Sequence, residues 1–174
     1  MSDINVLVLV GSLRAASINR QLAELAVETA PEGVSLQLFD RLGELPFYNE
    51  DIDNDDVAEP VAAAADATLV VTPEYNGSIP GVLKNAIDWL SRPFGDSALK
   101  EKPLAVVGAA GGQYGGVWAH DETRKSFGIA GPRVVEELKL SVPLKALDGK
   151  HPRENTEVTE NLRNVVGKLA AEVA

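Results

Sequence analysis

Three apolar runs restrict this chain most. Residues 4–10 (Ile-Asn-Val-Leu-Val-Leu-Val), 67–72 (Ala-Thr-Leu-Val-Val-Thr) and 103–109 (Pro-Leu-Ala-Val-Val-Gly-Ala) are nearly unbroken aliphatic stretches. A strand with one wet face alternates apolar and polar residues; an unbroken run reads as a strand buried on both faces, as in a parallel sheet covered by helices. Segments of helical period separate the runs. Ile18, Leu22, Leu25 and Ala26 recur at i, i+4, i+7 and i+8 and predict a helix over residues 20–30. Residues 57–65, 80–91 and 117–127 read as further helices. Residues 156–173 read as the last, with Val158, Leu162, Val165, Val166, Leu169 and Val173 on one face. Shorter strands are expected at 35–39 and 134–138. Strand and helix alternate from end to end, with no repeat and no linker, so residues 1–174 are expected to form a single α/β domain. Five strands, each followed by a helix, suggest a flavodoxin-like three-layer sandwich of order 2-1-3-4-5.

Charge narrows the list of partners. The chain carries 26 acidic against 16 basic side chains, a formal charge of −10. Such a surface repels nucleic acid and anionic membranes, although a local basic site can still hold an anion. The absence of cysteine excludes disulfides, thiolate metal sites and thiol redox chemistry. Residues 1–5 lack the basic start of a signal peptide, and no apolar run approaches the ~18 residues that span a membrane. A cytoplasmic protein acting on small molecules is the expectation.

In an open parallel sheet, ligands bind at the carboxyl ends of the strands. Three loops of this chain meet there. The first, Gly11-Ser12-Leu13-Arg14-Ala15-Ala16-Ser17-Ile18-Asn19, runs from a buried strand into a helix N-terminus, where free N–H groups and the helix dipole favour an anion. Ser12, Ser17 and Asn19 add donors, unless Ser17 or Asn19 merely caps the helix; Arg14 adds a charge that can grip phosphate. Neither a Gly-Lys-Ser/Thr ending nor Gly-x-Gly-x-x-Gly is present, which disfavours a nucleotide triphosphate and a dinucleotide pyrophosphate and favours a terminal monophosphate. The second loop, Pro73-Glu74-Tyr75-Asn76-Gly77-Ser78-Ile79-Pro80-Gly81, is long for a strand-to-helix connection and specified by proline and glycine. It can present backbone groups to a flat polar ligand. The third, Gly111-Gly112-Gln113-Tyr114-Gly115-Gly116, lets the main chain approach a ligand closely. A phosphate clamp beside two backbone-rich loops describes a flat ring with a phosphate tail, for which flavin mononucleotide (FMN) is the natural candidate.

These motifs, together with Leu83-Lys84-Asn85-Ala86-Ile87-Asp88-Trp89, resemble the NAD(P)H-dependent FMN reductases, a family that includes bacterial quinone, azo-dye and chromate reductases. The resemblance covers nearly the whole chain. It implies FMN bound through Ser12, Arg14, Ser17 and Asn19 at the phosphate and through Pro73, Glu74, Tyr75, Asn76 and Gly77 at the ring. Gly112 and Gly115 would border the ring. It implies NADPH or NADH as donor, a homodimer or homotetramer, and hydride chemistry on the cofactor, so that no side chain is expected to be catalytic. Ala109-Ala110 departs from the serine or threonine that many relatives carry, which puts contacts from the third loop in doubt. Tyr114 and Trp118 match no assigned position.

No metal ligand is expected. His120, beside Asp121 and Glu122, reads as part of a solvated helix face, and the acids at 49–56 as a solvated or dimer-contact loop lacking the EF-hand pattern. Lys84 and Asp88, at i and i+4, are placed to pair. Trp89 and Leu90 fit either a core or an interface. Two other functions compete: a flavodoxin-like carrier that keeps FMN without turning over NAD(P)H, and a flavin-free α/β sensor or partner-binding module.

Overall fold

The computed structural model describes residues 3–54 and 60–173. Strand β1 (Ile4–Val10), helix α1 (Ile18–Glu28), β2 (Val34–Phe39), α2 (Pro60–Ala64), β3 (Ala67–Val71), α3 (Gly81–Leu90), β4 (Pro103–Ala110), α4 (Val117–Ala130), β5 (Arg133–Pro143) and α5 (Thr156–Ala171) follow in order. The sheet is parallel throughout and runs β2-β1-β3-β4-β5, the order expected. Asp55, Asp56 and the start of the helix expected from residue 57 lie outside the described residues.

The buried runs work as the sequence indicated. Every residue of β3 and of β4 is buried. Alternate side chains of one strand enter opposite cores. Val6, Val8, Val10, Leu69, Val71, Ala105 and Val107 pack against α1 and α5; Leu7, Leu9, Val70, Leu104 and Val106 pack against α2, α3 and α4. In α5 the predicted stripe is buried at Val158, Leu162, Val165, Val166 and Leu169.

The fifth strand differs most. It extends to Pro143, beyond the expected 134–138, and its pairing with β4 is broken. Leu104 pairs with Val134, but Val106 pairs with Lys139. The inserted residues turn Val135 and Leu138 into the α1/α5 core. Arg124 of α4, 2% exposed, donates from Nη1 to Val106 O at this irregularity.

Asn85 and Trp89 secure the chain after β2. Asn85 Nδ2 and Trp89 Nε1 both donate to Pro46 O, Asn85 Oδ1 accepts from Tyr48 N–H, and the Tyr48 ring meets Trp89 edge-on at 5.1 Å. Trp89 is therefore core. Asp53, grouped with a solvated acidic loop on sequence grounds, instead accepts from Tyr48 Oη and pairs with Arg92. Lys84 and Asp88 pair at 2.6 Å as expected. No helix among the described residues is long and apolar enough to cross a membrane.

Candidate functional site at the carboxyl edge of the sheet

The loop from β1 to α1 has the properties of an anion cradle. Ser17 stands at the N-cap of α1, but its side chain makes no capping hydrogen bond, and no acidic residue occupies the first turn. The first-turn N–H groups of a helix have no intrahelical partner. Here they face no competing carboxylate on their own turn, and the dipole favours an incoming anion. Arg14 is exposed and makes no ion pair among the described residues. Gly11 makes the entry possible: a Cβ there would lie 2.4 Å from Thr72 Oγ1.

Asn19 does something other than expected. Its Nδ2 donates to Ala109 O at 2.9 Å and its Oδ1 accepts from Ala109 N–H at 2.8 Å, with the residue 3% exposed. The amide thus binds the end of β4 as a neighbouring strand would. Its side chain ties α1 to the sheet.

The loop from β3 to α3 is a miniature hairpin. Tyr75 N–H donates to Ser78 O and Ser78 N–H to Tyr75 O, each at 3.1 Å, around Asn76 at φ 54° and Gly77 at φ 73°. Two left-handed residues of sequence Asn-Gly between reciprocal bonds make a type I′ turn, whose twist suits a tight hairpin. Glu74, expected at the ring, accepts from Ala119 N–H of α4 at 3.2 Å. Gly116, the N-cap of α4, has no side chain to cap the helix, so this carboxylate from another loop supplies the missing acceptor. Ser78 Oγ donates to Glu122 of the same helix. The hairpin is therefore fastened to α4 at both ends, with Tyr75 half exposed at its rim.

The glycine loop joins the same edge. Gly115, at φ 64°, approaches β5 so closely that a Cβ would lie 2.6 Å from Val142 C. Gly112 has open space where a side chain would be. Tyr114 and Trp118, both more than half exposed, stand with ring centroids 6.1 Å apart. A Cβ on Gly77 would reach Trp118 at 3.6 Å, so the hairpin and the glycine loop are neighbours.

Beneath these loops lies a residue whose sequence reading needs correction. His120 is fully buried, not part of a solvated face. Nε2 lies 2.9 Å from Thr72 O and Nδ1 2.7 Å from Ser141 Oγ. Burial holds its pKa below the ordinary imidazole value; Arg124 acts in the same direction, while the bond to Thr72 O, Glu74 and Asp121 act against it. Its burial was readable in one respect. His120 lies seven residues before the fully buried Phe127, on the same helix face, and only the adjacent acids concealed it.

Ser12, Arg14, Ser17, Pro73, Glu74, Tyr75, Asn76, Gly77, Gly112 and Gly115 thus all belong to loops at one edge of the sheet, whereas Asn19 serves the scaffold below. The donor set fits a phosphorylated flat ring. The cradle offers a helix end without a side-chain cap and an arginine that makes no ion pair among the described residues, and the glycines leave room for backbone to meet a ring face.

Comparison with known proteins points the same way. A family model described as NADPH-dependent FMN reductase matches residues 4–146. The chain is 46% identical over 134 residues to a quinone reductase of Pseudomonas putida, covering 73% of this chain and 72% of that one. It is 45% identical over 126 residues to a 2-hydroxy-1,4-benzoquinone reductase of a Burkholderia species, covering 70% and 68%. Among solved structures it is similar to FerB, a flavoenzyme NAD(P)H:(acceptor) oxidoreductase from Paracoccus denitrificans. The TM-score is 0.83 at 30% identity, over 98% of this chain and 97% of that one.

Proposed function

Because this chain belongs to the NADPH-dependent FMN reductase family, we propose that it is an FMN-dependent oxidoreductase carrying two electrons from NAD(P)H to quinones. The single observation that carries the site assignment is the β1–α1 loop: a helix N-terminus without a side-chain cap beside an arginine that makes no ion pair among the described residues, at the strand ends where this fold binds ligands. Bound FMN would accept hydride from a reduced nicotinamide and hand two electrons to the acceptor that replaces it.

In this reading the protein's own residues bind and orient. Arg14 neutralises the phosphate and Ser12 and Ser17 donate hydroxyls to it. The N–H groups of Asn76 and Gly77, held by the turn, offer fixed donors where negative charge develops on the ring. Glu74 contributes by holding the hairpin to α4, which keeps those donors in place. No side chain is assigned a proton transfer. The chain acts over residues 1–174 as a single unit, in the cytoplasm, as a homodimer or homotetramer; quinones are the acceptors that the relatives' activities favour.

Initial rates at varied NADPH (or NADH) and benzoquinone test this. Donor and acceptor sharing one site in turn give parallel double-reciprocal lines. Intersecting lines would require both substrates bound together and would contradict the scheme. FMN binding without turnover by either donor would favour an electron carrier.

A further inference from the structure

In a parallel ladder, the bond that follows Thr72 N–H to Val107 O would run from Ala109 N–H to Thr72 O. Both groups are engaged elsewhere. Ala109 N–H goes to Asn19 Oδ1, and Thr72 O faces His120 Nε2. Strands β3 and β4 therefore separate immediately before the hairpin loop begins, and two buried side chains take over from the ladder. Gly108 makes room for this arrangement: a Cβ there would lie 2.0 Å from Thr72 O, 2.7 Å from His120 Nε2 and 2.9 Å from Asn19 Oδ1.

The partners fix the tautomer of His120 in the neutral state that its burial favours. A carbonyl only accepts, so Nε2 carries the hydrogen; Nδ1 then accepts from the Ser141 hydroxyl. Ser141 lies on β5 opposite Gly108, and His120 N–H donates to Gly116 O at the end of the glycine loop. One neutral ring thus joins the exit of β3, the end of the glycine loop and β5.

We propose that His120 is a positioning residue for the cofactor: by holding Thr72 O and Ser141 Oγ together it sets the hairpin loop against the glycine loop, and FMN affinity depends on it through those loops. This rests on the FMN reading above. Uptake of a proton would place a hydrogen on Nδ1 and force Ser141 Oγ to accept. Of the charged groups that act on the ring, Arg124 opposes that proton, and Glu74 from the hairpin loop and Asp121 favour it. Asn19, Gly108 and Ser141, from α1, β4 and β5, bring no charge.

The test compares wild type with His120→Leu, Ser141→Ala and His120→Gln, whose amide can donate and accept as the neutral ring does. FMN dissociation constants come from flavin fluorescence at pH 8 and pH 5.5, and melting temperatures from the apoproteins. At pH 8, His120→Leu, which leaves Thr72 O and Ser141 Oγ without this partner, and Ser141→Ala, which leaves Nδ1 without one, should each weaken FMN about tenfold. His120→Gln should stay within about threefold. As the pH falls, wild type should lose FMN affinity relative to His120→Gln, which shares the titration of the phosphate. If His120→Leu fails to fold, Ser141→Ala carries the test. Leu and Ala variants that bind FMN within about twofold of wild type, whatever their melting temperatures, overturn the inference by reducing the node to scaffold. Wild-type protein that binds no FMN overturns the cofactor reading, and the inference with it.

Discussion

At the scale of the residue, Arg14 and Gly108 carry the sharpest consequences. Arg14 is the one cation of the cradle loop and has no protein partner to leave among the described residues. Charge-assisted bonds to phosphate exceed neutral ones. Arg14→Ala should therefore raise the FMN dissociation constant about tenfold or more. Binding of riboflavin, which lacks the phosphate, should stay within about twofold; fluorescence titration with the two ligands checks both. Equal losses for both would place Arg14 at the ring instead. Gly108→Ala drives a methyl group into Thr72 O, a contact that backbone must move to relieve. It should cost at least about 3 kcal/mol or abolish folding, read by urea unfolding. The sequence displayed Arg14 plainly, because charge and loop position suffice to suggest it. It hid the true work of Asn19 and Gly108, which depends on what α1 and β4 bring together from residues 90 apart.

At the scale of the element, the Asn76–Gly77 turn determines the shape of the ring-facing loop. Gly77→Ala forces a Cβ into left-handed backbone and should destabilise the protein by about 1 kcal/mol. Chemical denaturation would record it, with a matching loss in FMN affinity if the turn orients its donors. Glu74→Gln leaves an acceptor on α4 but removes the charge that opposes the helix dipole. A cost of about 0.5 kcal/mol follows. The hairpin was legible only as an unusual loop: Asn-Gly hints at the turn, but its fastening to α4 through Glu74 and Ser78 is long-range. The extension and irregularity of β5 were not legible either. Val135 and Leu138 look like a two-residue alternation broken by a pair of glutamates, and the buried Arg124 that meets Val106 O comes from a different element.

At the scale of the whole molecule, the strand order followed from the apolar runs, because strands buried on both faces and joined by helices leave few alternatives. The buried His120 adds a dependence that the sequence did not suggest. Its folded pKa lies below the unfolded value near 6.5. As the pH falls below about 6.5 the unfolded chain takes up a proton that the folded one resists, so stability declines until the folded pKa is passed. Urea midpoints from pH 8 to pH 5 should fall for wild type relative to His120→Gln; coincident curves would deny His120 this role. Electron transfer is tested most directly by anaerobic mixing of the FMN-loaded protein with NADPH, and separately with NADH, while following the oxidised flavin band. At least one donor should bleach the flavin rapidly, with recovery on adding benzoquinone. A flavin that neither donor bleaches, but dithionite does, would contradict the proposed function.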